Sequence, residues 1–111
     1  MSYSIIPTFR FEKELKRLVK KFPSLKNEFA RLIADIIANP ETGTFIGNKC
    51  YKIRLAIGSK GKGKRGGARV ITYLYIETAT VYLLTIYDKG EKADLKPNEL
   101  KEMIESLELD N

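Results

Sequence analysis

The chain has 111 residues, 43% of them hydrophobic, and its 20 Lys and Arg outnumber 14 Asp and Glu to leave a net charge of +6. This length leaves little room for a second core, so we predict one domain over residues 1–111. The chain has no histidine and a single cysteine, Cys50, which excludes histidine-based catalysis, histidine metal ligands and an internal disulfide.

No apolar run approaches the roughly 20 residues that a membrane span needs. Residues 1–7 lack the charged opening and apolar segment of a secretory signal. We therefore expect a cytoplasmic protein that makes no membrane contact. We also expect neither a bound metal nor a cofactor, and we expect Cys50 to be a small buried residue.

Residues 3–7 are apolar and β-branched, which predicts an edge strand that ends at Pro7. Thr8 suits the N-cap of a following helix, and Pro23 ends that helix. The apolar residues between them recur on one helical face: Phe11, Leu15, Leu18, Val19 and Phe22.

A second helix follows directly, with Ser24 as its predicted N-cap and Asn39-Pro40 as its end. Its apolar stripe consists of Leu25, Phe29, Leu32, Ile33, Ile36 and Ile37. Two amphipathic helices with so short a connection predict an antiparallel helical hairpin. Their stripes need an apolar partner, which we expect to be the sheet formed by the rest of the chain.

After a connection over residues 41–48, the sequence alternates with period two and predicts three strands. In the first strand Tyr51, Ile53, Leu55 and Ile57 face one way, and Cys50, Lys52, Arg54 and Ala56 face the other. In the second, Val70, Thr72, Leu74 and Ile76 lie opposite Arg69, Ile71, Tyr73 and Tyr75. Residues 81–87 form the third strand, which is apolar on both faces and therefore lies near the middle of the sheet.

Pro97 suits the first position of a final helix, whose buried stripe is Leu100, Met103, Ile104 and Leu107. The predicted order is β-α-α-β-β-β-α. This is an α+β fold, with an antiparallel sheet, the N-terminal helical hairpin packed on one face and a short C-terminal helix. The other face of the sheet stays at least partly open.

Basic residues concentrate on this open face and on the loop between the first two central strands. From Lys49 to Arg69 there are eight Lys or Arg and no acidic residue. Lys52, Arg54 and Arg69 emerge from adjacent strands. Further cations lie on the Gly-rich loop: Lys60, Lys62, Lys64 and Arg65. An anionic partner is the expected consequence, although a solvated surface is the simpler explanation for each charge alone.

Aromatic residues accompany these cations, since Tyr73 shares the face of Arg69 and Tyr87 closes the third strand. Cations interleaved with aromatic rings suit RNA, because phosphates attract positive charge and unstacked bases pack on flat rings. Core packing is the alternative explanation for both tyrosines.

Three segments together resemble the RelE superfamily of bacterial type II toxins, and most closely its HigB-like branch. They are Cys-Tyr-Lys-Ile-Arg-Leu at 50–55, Lys-Arg-Gly-Gly-Ala-Arg-Val-Ile at 64–71, and residues 84–95 with Ile-Tyr-Asp-Lys. The resemblance implies a RelE-like fold and a ribosome-dependent mRNA endoribonuclease. It also implies a cognate antitoxin, expected to be a helix-turn-helix protein, without which we expect no DNA binding.

The same resemblance implies functional positions on this chain. The basic sheet residues of the family correspond to Lys52, Arg54 and Arg69, and its C-terminal basic and aromatic positions correspond to Tyr87, Lys89 and Lys92. We expect a ribose 2′-OH to attack the adjacent phosphate, with the two arginines stabilising its charge, Lys52 as base and Tyr87 as stacking ring or proton donor. Asp88 and Glu91 are alternative bases for which structural roles are the simpler expectation.

Two other functions are compatible with these residues. A ParE-like toxin of the same fold would poison DNA gyrase and cut nothing. A non-catalytic RNA-binding module would use the basic face only to hold phosphates.

Overall fold

The computed structural model describes residues 3–61 and 63–107. The chain builds one five-stranded sheet with helices on both of its faces. The elements in chain order are β1 (Ser4–Pro7), α1 (Phe9–Lys21), α2 (Leu25–Ala38), β2 (Thr44–Gly47), β3 (Cys50–Leu55), β4 (Ala68–Tyr75), β5 (Thr80–Asp88) and α3 (Glu99–Glu105). In this part of the chain no helix is long and apolar enough to cross a bilayer.

The strands lie in the order β1-β5-β4-β3-β2, and the predicted α+β class is confirmed. β1 is the expected edge strand but runs parallel to β5, while the other neighbours are antiparallel. The connection predicted over residues 41–48 is wrong in part, because β2 forms inside it. Asn48 and Lys49 both have positive φ angles, 53° and 61°, and close a tight hairpin whose twist matches that of the strands.

The larger apolar cluster lies between the helical hairpin and one face of the sheet. Phe11 and Leu18 from α1 and Leu25 from α2 are completely buried. They pack against the sheet residues Ile53, Val70, Val81, Leu83 and Ile86, and against Ile57, which follows β3. This confirms the predicted facing of β3 and β4 and most of the helical stripes. The exceptions are Ile37, which is exposed, and Ile76, which is exposed and lies beyond the end of β4.

A second cluster lies on the opposite face, where α3 covers part of the sheet. Met103 is buried there against Ile71, Tyr73, Leu84 and Cys50. The face predicted to be open is therefore exposed only at the end that α3 does not reach. The Cys50 thiol is buried as predicted, and burial raises its pKa to about 12.

Two helix starts differ from the prediction. Ser24 has helical backbone angles and does not cap α2 with its side chain. Its hydroxyl instead bonds to the Glu28 carboxylate at 3.0 Å and accepts from the Ser59 amide at 2.9 Å. The final helix begins at Glu99, two residues after Pro97.

Thr8 joins α1 to an irregularity in β5. Its hydroxyl accepts a hydrogen bond from the Phe11 amide at 3.2 Å, which confirms the predicted N-cap. The same hydroxyl donates to the carbonyl oxygens of Leu83, at 3.0 Å, and Leu84, at 3.1 Å. At this point the register between β4 and β5 shifts: Thr72 pairs with Leu83 and Ile71 with Thr85, so Leu84 is an extra residue. This is a β-bulge, which reverses the facing of all later residues in β5.

We expect Thr8→Val to lower the free energy of unfolding by about 1–2 kcal/mol, because it removes the helix cap and the donor to the bulge while keeping the side-chain size. Thr8→Ser keeps the hydroxyl and is the matched control. Urea unfolding measures both variants. Equal stability of Thr8→Val and wild type would contradict the role given to this hydroxyl.

Candidate nucleic-acid interface

Three of the predicted site residues form a row across the middle of the sheet. Arg54 of β3 lies opposite Arg69 of β4, and Arg69 lies opposite Tyr87 of β5. Directly opposed residues have Cβ atoms about 4.5–5.5 Å apart. Lys52 lies two residues before Arg54 on the same face. The structure thus brings together the four residues predicted to be catalytic.

The two arginines of the row are held differently. Arg69 is only 5% exposed. Its Nη1 donates to the Ala68 carbonyl at 3.0 Å and its Nη2 to the Arg65 carbonyl at 3.2 Å. Arg54 is exposed and makes no hydrogen bond or ion pair with any of the residues the structure describes. Arg69 is therefore a fixed charge, and Arg54 is available to an incoming anion.

A carboxylate that the sequence did not indicate occupies the same face. Asp94 Oδ1 accepts from Lys52 Nζ at 2.9 Å, from the Leu95 amide at 2.8 Å and from the Tyr87 hydroxyl at 3.4 Å. The hydrogen bond from Lys52 is the main reason that the pKa of Asp94 lies below its usual value. Asp94 lies in a polar loop, and its position in the sequence does not predict a contact with Lys52 of β3. The Asp94 carboxylate therefore neutralises the charge of Lys52 in this structure.

Burial, with a smaller contribution from Asp94, raises the pKa of Tyr87 to about 12. The side chain is 5% exposed, and Lys92 Nζ lies 5.8 Å from the centre of its ring. Tyr87 is therefore a protonated phenol at neutral pH. It can donate a proton or a hydrogen bond, and it cannot act as a base there.

Ion pairs to α1 fix the segment that carries Asp94. Glu91 accepts from Arg17 at 2.6 Å and from Lys21 at 3.1 Å, and these bonds lower its pKa to about 2. Glu99 is paired with Arg10 and Lys92. These contacts give Glu91 a structural role, which was the simpler of the two expectations for this residue. They also hold the loop that carries Asp94 against α1.

Two predicted RNA-binding residues belong to this segment and lie beside the row. Lys92 reaches over Tyr87 while it pairs with Glu99. Lys89 donates from its Nζ to the Ala93 carbonyl at 2.8 Å. Lys92 can reach an anion on the row only by leaving its contact with Glu99.

The Gly-rich loop contributes less to this face than the sequence suggested. Lys60 turns toward the helical side of the sheet, where it pairs with the buried Asp88 and lies 5.4 Å from the Phe22 ring. Burial opposes ionisation of Asp88, but hydrogen bonds from Lys60 and the Gly90 amide outweigh it, and the net pKa lies below the usual value. Asp88 is therefore a structural anion.

The remaining predicted RNA-binding residues are scattered. Arg65 is exposed beside Arg69, whereas Lys62 and the side chain of Lys64 lie outside the described part of the chain. Tyr73 is buried under α3 and packs on Tyr75 at 6.4 Å between ring centres. It lies four residues, or about 13 Å, along β4 from Arg69.

The described residues contain no group of three Cys, Asp or Glu side chains placed to bind a metal ion. This face of the sheet carries positive charge, the protonated phenol of Tyr87 and the carboxylate of Asp94, which is paired with Lys52. Such a set can bind a phosphodiester and stabilise negative charge on it.

No family model matches the chain. Solved structures do match it. A mutant of E. coli toxin RelE in the free state aligns with a TM-score of 0.64 and 16% identity, over 96% of this chain and 99% of the other. The chain has the RelE fold. The intact E. coli RelBE toxin–antitoxin complex matches over 78% of this chain and 95% of the other, with a TM-score of 0.58 and 19% identity.

A Mycobacterium tuberculosis toxin–antitoxin complex, RelBE2, matches with a TM-score of 0.56 and 20% identity, over 79% of this chain and 99% of the other. Identities this low establish the fold alone. The RelE fold expected from the sequence is thereby confirmed. The roles of Lys52, Arg54, Arg69 and Tyr87 remain predictions.

The contact between Asp94 and Tyr87 can be tested by titration. We expect Asp94→Asn to lower the pKa of Tyr87 from about 12, because removing a nearby negative charge makes the phenolate easier to form. Burial remains, so the pKa should stay above the ordinary value. Ultraviolet absorbance of tyrosinate measures this, with Tyr87→Phe used to assign the signal. An unchanged or higher pKa would contradict the contact.

Proposed function

We propose that this protein is the toxin of a type II toxin–antitoxin pair and cleaves mRNA on the ribosome. The observation that carries this proposal is the row of Arg54, Arg69 and Tyr87 across one sheet face of a RelE fold. A phosphodiester that meets this row contacts one mobile and one fixed guanidinium and a proton donor. RNA supplies its own nucleophile, so the site needs no histidine and no metal.

The proposed reaction is attack of a ribose 2′-OH on the adjacent phosphorus. The 2′-oxygen–phosphorus bond forms and the bond to the 5′-oxygen breaks, which leaves a 2′,3′-cyclic phosphate and a free 5′-OH. Negative charge grows on the phosphoryl oxygens in the transition state. Arg54 and Arg69 stabilise that charge, because a guanidinium stays protonated and matches phosphate geometry with paired donors.

Tyr87 is the proposed proton donor to the leaving 5′-oxygen. Its raised pKa keeps the proton on the phenol at neutral pH until an alkoxide of higher proton affinity develops beside it. The ring also offers a surface on which a base can stack.

Lys52 remains our proposed base for the 2′ proton, a role that requires the neutral amine, so Lys52 must first release its own proton to solvent. Its Nζ donates to Asp94, so the substrate must displace Asp94 before Lys52 reaches the ribose. The Asp94 side chain is 64% exposed and can leave without breaking the core. The Asp94 carboxylate thus occupies the position that we assign to the scissile phosphate.

We propose a cognate antitoxin as the protein partner, and the ribosome with its mRNA as the target. Supporting this, the solved relatives of the same fold include complexes named as toxin–antitoxin pairs. The net charge of +6 favours binding to ribosomal RNA. A helix-turn-helix antitoxin, rather than this chain, would bind DNA.

The non-catalytic RNA-binding module is the second candidate. One observation favours it: Lys52, the proposed base, is engaged with Asp94. Such a module would bind RNA with strong salt dependence and leave mRNA uncut. A gyrase-directed toxin of the same fold would trigger the DNA-damage response without stopping translation.

Mapping of mRNA 5′ ends after induced expression tests the cleavage proposal. We expect new in-frame ends with the wild-type chain and a loss of about 10²–10³-fold in their rate of formation with Arg54→Ala, because a transition-state cation is removed. The exposed Arg54 side chain makes no hydrogen bond or ion pair with any described residue, so the stability of the variant should be close to that of wild type. Asp94→Asn should cleave at least as fast as wild type.

Lys101→Ala is the control, since this lysine lies on α3 and its side chain is 77% exposed. It should cleave like wild type. Equal cleavage by Arg54→Ala and Lys101→Ala would refute the role of the row. Salt-dependent RNA binding without new 5′ ends would favour the non-catalytic module, and undisturbed translation would contradict the cleavage proposal.

A further inference from the structure

The cations of α1 fall into two groups. On the flank that faces residues 88–99, Arg10, Arg17 and Lys21 are each ion-paired to an acidic residue of that segment. Lys16 and Lys20 lie on the other flank, and Lys13 lies between the two flanks; these three lysines make no ion pair with any described residue. The positive charge of the second flank is therefore not neutralised within the described chain.

An apolar groove runs between these unpaired lysines. Phe9 is 82% exposed at one end, and Leu15 and Val19 form its half-buried floor. Lys26 at the start of α2 joins the rim, and Glu12 is the one acidic residue in the lining. A phenylalanine this exposed at the start of a helix contributes little to the core, yet it extends the apolar surface of the groove.

The dimensions of the groove fit a helix. It follows α1 from Phe9 to Lys20, a stretch whose ends lie about 16 Å, or three helical turns, apart. Leu15 and Val19 on its floor are four residues apart, which is one of the ridge spacings that accept a second helix. A helix in such a groove buries one apolar face and leaves its flanks against the rim.

We propose that this groove binds an amphipathic helix of a partner protein, whose flanks are acidic. Four lysines against one glutamate attract carboxylates to the rim, and the apolar floor requires aliphatic or aromatic anchors. RNA would find cations here but no hydrogen-bonding floor for its bases. The site lies on the helical layer, so an occupant leaves Arg54 on the other face of the sheet uncovered. The inference goes beyond the proposed cleavage and stands without it.

The test uses the full chain and a fluorescent helical peptide of about 16 residues, with Leu at every third or fourth position and Glu on the flanks. We expect the peptide to bind wild type, and its affinity to fall about tenfold or more in Phe9→Ser and in the double variant Lys16→Glu with Lys20→Glu. Phe45→Ser is the matched control, because Phe45 is 61% exposed and lies outside the groove. Fluorescence anisotropy measures binding.

Two further probes make each outcome decisive. A peptide with Lys in place of Glu should bind at least tenfold more weakly than the acidic one, and a single-stranded RNA oligonucleotide should bind Phe9→Ser as well as wild type. The proposal is overturned if the acidic peptide does not bind, if Phe45→Ser weakens it equally, or if groove variants lose RNA instead. The Phe9→Ser variant should still arrest translation. If the wild-type chain itself does not arrest translation, that result would refute the proposed cleavage and leave the proposed helix-binding groove standing.

Discussion

The β-bulge at Leu84 determines which side chains share the sheet face that carries Arg54 and Arg69. Before the bulge Val81 and Leu83 point to the helical layer, and after it Ile86 does. Uninterrupted alternation would instead turn Tyr87 toward that layer, away from Arg69. The extra residue restores Tyr87 to the face of the arginines, and the Thr8 hydroxyl satisfies the carbonyls of Leu83 and Leu84 there. The geometry of the site thus depends on a residue at the start of α1.

Charge pairing provides the second support of the site. On the helical side, Lys60 and Asp88 form a buried pair that ties the Gly-rich loop to the end of β5. Along α1, Arg10, Arg17 and Lys21 pair with Glu99 and Glu91 and so hold the following segment, which carries Asp94. Removing one member of the buried pair would leave a charge without its partner in a place with little water, which is costlier than losing a surface ion pair.

Periodicity in the sequence was enough to predict the fold class, the two amphipathic helices and the facing of β3 and β4. It also placed Lys52, Arg54 and Arg69 on one face, because alternation within a strand is a local property. It could not give the strand β2, which depends on a turn at Asn48 and Lys49, nor the parallel pairing of β1. The sequence also could not predict the bulge. Because β5 is apolar on both faces, its sequence pattern is compatible with either register. The sequence did not predict the contacts of Asp94, because its partners Lys52 and Tyr87 lie on other elements of the chain. It also did not predict that Lys60 turns inward, because that orientation depends on the buried carboxylate of Asp88.

The ends of the RNA produced on programmed ribosomes test the central claim most directly. We expect a 2′,3′-cyclic phosphate on the upstream fragment and a 5′-OH on the downstream one, both detected by mass spectrometry. We also expect a single 2′-deoxy substitution at the scissile nucleotide to abolish cleavage. Cleavage that persists at the deoxy position, or a product with a 5′-phosphate, would contradict attack by the ribose hydroxyl and with it the mechanism assigned to Arg54, Arg69 and Tyr87.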